Sequence, residues 1–101
     1  ADALAEAARR AGDGEVWLRL ARLRYDEAAW PETVAAAQAA IEAGVEDAGR
    51  ARLLAGMAHY ELGERAEARA AFAAASDDDQ AGKAARQWLE YLDEEAAPLP
   101  R

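Results

Sequence analysis

Residues 49–75 read GRARLLAGMAHYELGERAEARAAFAAA, and this stretch decides the fold. Its first half carries apolar residues at helical spacing and ends at Leu62. A Gly63-Glu64 turn follows, and a second helical run starts near Arg65. Gly56, Ala68, Phe72 and Ala75 fall where the two helices must cross closely. Small residues sit at the tight contacts, and one aromatic ring fills the space between them.

The neighbouring segments extend the same pattern. Leu4, Ala7, Ala8 and Ala11 are spaced for a helix over 1–11. Gly12-Asp13-Gly14 breaks it, with Gly12 suited to a left-handed helix end and Asp13 to capping the next helix. That helix is expected from about Glu15 to Asp26, with Trp17, Leu20, Ala21 and Arg24 on one face and Leu23 at its edge. Pro31 belongs in the first turn of a further helix, where its missing N–H costs nothing, and this helix runs to about Ala43 and ends at Gly44. Ser76-Asp77-Asp78-Asp79 is a loop rich in capping residues. A last helix is expected from Gln80 to about Glu94, with Ala85, Leu89 and Leu92 on one stripe and Trp88 beside it. The prolines at 98 and 100 end it, leaving 96–101 as a flexible tail.

Counted from Gly49, the residues Gly56, Tyr60, Gly63, Ala68, Phe72 and Ala75 resemble the pattern of the tetratricopeptide repeat, a pair of antiparallel helices in about 34 residues. Arg52, Ala55 and His59 depart from it, standing where the family usually has Trp, Leu and Tyr. Counted from Gly14, a second unit follows with Trp17, Leu20, Ala21, Tyr25 and Trp30 in the family's positions. Its second helix matches less well, because Thr33 and Ala37 replace a usual Ala and a usual aromatic. Gly14 and Gly49 are 35 residues apart, and the Gly44–Asp47 loop can hold the extra residue. The resemblance implies an all-α fold of helix-turn-helix repeats stacked as a short right-handed superhelix. The single domain would span 1–95, with a flanking helix (1–11), repeats at 14–44 and 49–76, and a capping helix (80–95) that covers the last open face. Lys83-Ala84-Ala85-Arg86-Gln87-Trp88 within the C-terminal run is also similar to the ends of bacterial repeat proteins linked to TonB-type energy transduction. That similarity implies a periplasmic or envelope setting; otherwise a cytoplasmic one is expected.

Composition agrees with a helical scaffold and narrows its partners. Of the 101 residues 52% are hydrophobic, many of them alanine, which favours helix and a thin, closely packed core. The net charge is −8, which argues against nucleic acid and against anionic membranes. No apolar run is long enough for a membrane span. The chain does not begin with Met, and it reads as an excised or processed piece. Cysteine is absent, which excludes disulfides and thiolate metal sites.

Catalytic chemistry is not expected. Ser76, Thr33, Lys83 and His59 are each the single residue of their type, and they are too scattered for a nucleophile and base to converge. His59 is read as filling the helix seam and donating to a nearby carboxylate or carbonyl. Asp77-Asp78-Asp79 lacks the alternating ligands and distal Glu of a calcium loop and reads as a capping turn. No cofactor or metal site is expected.

The resemblance implies that the first helix of each unit lines a concave surface holding a peptide. Carried over residue by residue, the groove would be lined by Leu18, Arg19, Arg22 and Tyr25 from the first unit. Leu53, Leu54, Met57 and Tyr60 come from the second, and Ala84, Gln87, Trp88 and Tyr91 from the last helix. Leu53, Leu54 and Trp88 stand between core and groove. The family's carboxylate clamp needs Lys and Asn where this chain has Leu18, Arg22, Leu54 and Trp88, and the chain contains no Asn. The expected partner is therefore a protein or peptide read through side chains: an apolar segment with an acidic residue facing Arg19 and Arg22. The alternative is a structural module whose apolar face joins copies of the chain or docks within a longer parent chain.

Overall fold

The computed structural model describes residues 3–96. Among them are six helices: α1 (Ala3–Ala11), α2 (Gly14–Asp26), α3 (Trp30–Glu42), α4 (Ala48–Glu61), α5 (Arg65–Ala75) and α6 (Gly82–Ala96). Each packs antiparallel on the next in chain order, and α2 also touches α4, as α4 touches α6. The stack measures 55 × 29 × 17 Å, so it is a slab in which a helix meets only near neighbours. The expected tail falls at 97–101, outside the described residues, while Ala96 is the last residue of α6.

The helix limits follow from local chemistry. Asp13 accepts a hydrogen bond from Glu15 N and starts α2; Asp47 accepts from Arg50 N and starts α4. Asp78 accepts from both Gln80 N and Ala81 N, so α6 begins at Gly82 rather than at Gln80. These bonds, from Ala81 first, hold the Asp78 carboxyl below its ordinary value. Three helices end in the same two-bond closure, in which a left-handed residue donates three residues back and its successor donates five back. Gly44 and Val45 close α3 on Ile41 and Ala40, and Gly63 and Glu64 close α4 on Tyr60 and His59. Ala28 and Ala29 close α2 on Tyr25 and Arg24 in the same way.

Ala28 is thus an alanine in a glycine's place. Its φ is 60°, against 77° at Gly63. The left-handed region costs an L-residue about 1–2 kcal/mol, partly offset by glycine's greater entropy in the unfolded chain. Ala28→Gly is expected to raise stability, and Gly63→Ala to lower it, each by about 1 kcal/mol. Urea denaturation of both variants checks this; an Ala28→Gly protein no more stable than wild type would show that the turn is unstrained.

Alanine dominates the interior. A first core cluster joins Ala5, Ala8, Leu18, Leu20, Ala21, Ala36, Ala37, Ala40, Val45, Ala51, Leu54 and Ala55. A second joins Ala68, Phe72, Ala75, Ala85 and Leu92. Phe72 and Thr33 are the largest fully buried side chains. The Thr33 hydroxyl donates to Ala29 O at 2.8 Å, which satisfies it locally. Phe72 lies against Gly56, where a Cβ would come 2.6 Å from Phe72 Cε1. That glycine is what lets α4 and α5 close on the ring.

Candidate binding surface

α6 is fixed to α4 and α5 by aromatic stacking within a frame of ion pairs. Trp88 stacks on Phe72 with centroids 5.2 Å apart and planes 8° from parallel. It also meets Tyr60 of α4 at 5.2 Å. Tyr91 stands edge-on to both Tyr60 and Trp88. Around these rings Arg65 donates to Glu95 Oε1 at 2.6 Å, and Arg69 to Asp93 Oδ1 at 2.7 Å. At the other end of α6, Arg86 Nη1 donates to Ser76 O at 2.5 Å.

The Tyr60 hydroxyl is the polar hub of the cluster. It donates to Glu95 Oε2 at 3.0 Å and is hydrogen bonded to the Tyr91 hydroxyl at 3.2 Å. These bonds, that with Tyr91 first, push the Tyr60 phenol up from 10.0 to about 12. Burial pushes the Glu95 carboxyl up, but hydrogen bonds from Tyr60, Arg65 and Tyr91 outweigh it and hold the group below 4.5. A carboxyl with a depressed folded value stabilises above its unfolded value and loses that contribution as pH falls. Glu95→Gln should therefore melt below wild type at neutral pH, with the difference closing as pH is lowered well below 4.5. A difference that persists unchanged into acid would show that the charge is not what holds α6.

The sequence-assigned groove residues divide by burial. Leu18 and Leu54 are 8% and 5% exposed and belong to the first core cluster, so they lie beneath any surface a ligand would touch. Leu53, Met57, Tyr60 and Trp88 are half-buried against the second cluster. Their exposed edges, not whole side chains, are open to solvent. Tyr25 is half-buried against the first cluster and meets Trp30 at 5.3 Å. Burial raises its phenol above 10.0, and Glu61 of α4 adds to the shift, because α2 and α4 lie side by side. Arg19 and Arg22 are exposed, and Arg22 is paired with Asp26 at 3.2 Å. Tyr91 is 45% exposed.

The four side chains read from the last helix come together. Ala84, Gln87, Trp88 and Tyr91 line an open concavity of about 310 Å³. They recur at i, i+3, i+4 and i+7, which is one helical face. A second concavity of about 390 Å³ is lined by Glu15, Glu46, Asp47, Asp78, Asp79 and Gln80. Two of its carboxylates, Asp47 and Asp78, already cap helices. Among the described residues no group of His, Asp and Glu is arranged to hold a metal ion, and no helix is long and apolar enough to cross a membrane. Compared with protein-family models, curated proteins and solved structures, the chain matches none.

His59 lies in the seam between α4 and the turn that follows it, with Nδ1 2.7 Å from Glu64 Oε1. This is the carboxylate contact expected from its position. Sequence reading did not find Arg65, Arg69, Asp93 or Glu95 as the frame around the aromatic cluster. They are ordinary surface charges in the chain, and only the docking of α6 pairs them.

Proposed function

We propose that the chain is a non-catalytic scaffold that binds a protein or peptide through two helix-pair units of the tetratricopeptide type. The units' recurrence supports the repeat. At a spacing of 35 residues, the left-handed turn residues Ala28 and Gly63 correspond, as do the helix starts Trp30 and Arg65. So do the buried pairs Ala21 and Gly56, Thr33 and Ala68, Ala37 and Phe72, and Ala40 and Ala75. On this reading α2, α4 and α6 occupy equivalent places, and their common face is the binding face. The bacterial envelope assembly suggested by residues 83–88 is one setting for such a scaffold.

The observation that carries the binding role is the open concavity lined by Trp88, Tyr91, Gln87 and Ala84. Amphipathic aromatic rings that keep an edge in water suit a contact surface. Selection of peptides from a displayed library on the immobilised domain tests it. The expected result is an enriched family whose binding shifts the amide signals of Met57, Tyr60, Gln87, Trp88 and Tyr91. No enrichment, or binders mapping to α1 and α3, would overturn the assignment.

A second reading has an apolar face joining copies of the chain. Leu23 and Leu62 support it, as large apolar side chains left exposed. A concentration-dependent dimer in light scattering, with no peptide binder, would favour it.

A further inference from the structure

On one side of the aromatic cluster the chain supplies its own cation. The Arg65 guanidinium carbon lies 5.3 Å from the centroid of the Tyr60 ring, and its Nη1 donates to Glu95 Oε1 at 2.6 Å. A guanidinium is planar and weakly hydrated, so it can lie on an aromatic face while a carboxylate takes its N–H groups.

On the outer side the same ingredients stand without a cation. Trp88 and Tyr91 meet at 89° with centroids 5.8 Å apart, forming an aromatic corner. That corner is a wall of the concavity of about 310 Å³, with Ala84 and Gln87 completing the lining. The helix register sets one unpaired carboxylate beside it. Glu94 follows Tyr91 by three residues and Gln87 by seven, whereas Glu90, two residues after Trp88 and one before Tyr91, faces away from the corner. Glu94 is exposed and has no ion pair or hydrogen bond among the described side chains. Its sequence neighbours Asp93 and Glu95 are engaged by Arg69 and Arg65.

We propose that this corner takes an arginine side chain of a partner peptide. The guanidinium lies against Trp88 and Tyr91 and is neutralised by Glu94. Trp is the strongest aromatic face for a cation, and a net charge of −8 draws a basic partner toward the chain. Arginine suits the site better than lysine, whose compact, strongly hydrated ammonium gives up more water to enter an aromatic corner. The proposal rests on the peptide-binding reading and adds a partner chemistry to it. It also reverses the sign expected from Arg19 and Arg22, which asked for an acidic group in the partner.

The test follows the indole N–H signal of Trp88 in the labelled full chain, with Trp17 and Trp30 as internal references. Three capped peptides are titrated: Leu-Ala-Arg-Ala-Leu, its citrulline analogue with the same shape and no charge, and its glutamate analogue. The arginine peptide is expected to bind about tenfold more tightly than the citrulline peptide and to move the Trp88 signal alone. The glutamate peptide should bind more weakly than either. In the Glu94→Gln variant, whose substitution is at an exposed position without a partner, that preference should fall to about twofold or less. Equal binding of the arginine and citrulline peptides would overturn the arginine proposal and leave peptide binding standing. A Trp88 signal unmoved by all three peptides would overturn it as well, and the displayed-library selection would then judge the scaffold reading separately. A Trp88 signal that shifts with protein concentration alone would also overturn it, by assigning the corner to a second copy.

Discussion

Replacing Phe72 with alanine is expected to lower the unfolding free energy by about 3–5 kcal/mol. The ring is fully buried in a core otherwise built largely of alanine. It occupies the space left by the missing Cβ of Gly56 and stacks on Trp88. Removing it leaves a cavity whose alanine walls, Ala68, Ala75 and Ala85, have no further atoms to turn inward. Domains of this size are stable by about 5–15 kcal/mol, so the variant should be marginal. Gly56→Ala alone crowds the ring and should cost about 1–3 kcal/mol. In the Phe72→Ala background the same change should cost much less, because the atom it would strike is gone. Denaturant titration of the four proteins checks both statements. A Phe72→Ala protein within about 1 kcal/mol of wild type would mean that α4, α5 and α6 close over the gap.

Deleting residues 80–101 is the second large perturbation, with an expected loss of a few kcal/mol. The deletion uncovers Phe72, Ala68 and Ala75, and leaves Tyr60, Arg65 and Arg69 without Tyr91, Glu95 and Asp93. In a slab where helices meet only their neighbours, a terminal helix stabilises through the interface it covers. The surface exposed on unfolding should also fall, which lowers the slope of stability against denaturant. A truncated chain that melts as wild type would show that α6 is not docked, and with it would go the concavity at Trp88.

Much of the architecture was legible in the residues. Glycine and aspartate mark the helix ends, because only glycine enters the left-handed closure freely and a carboxylate can accept from exposed N–H groups. Gly12 takes the expected positive φ and Asp13 the expected cap; Gly44 and Gly63, read as a helix end and a turn, also have positive φ, and Asp78 in the capping-rich loop and Asp47 cap helices too. The close crossing at Gly56, Ala68, Phe72 and Ala75 was legible for the same kind of reason, since small residues and one ring leave a single way to pack. Ala28 was not legible. Alanine carries no signal for a left-handed turn, and the closure of α2 imposes that conformation from outside.

The site was legible only in outline. Periodicity placed Ala84, Gln87, Trp88 and Tyr91 on one face of a helix, because 3.6 residues per turn requires it. How deep each side chain lies is a different quantity. Leu18 and Leu54 share the groove register with Arg19 and Met57, yet both are buried, because α2 and α4 approach closely enough to cover them. Tyr60 reads as a surface aromatic, yet its hydroxyl is spent on Tyr91 and Glu95, residues 31 and 35 places further on. The sequence by itself determined the helices and most of their ends, since these depend on residues within a few turns. Tertiary structure alone decided which apolar residues remain open and which charges are already paired. Those depend on distances between helices far apart in the chain, and no local pattern records them.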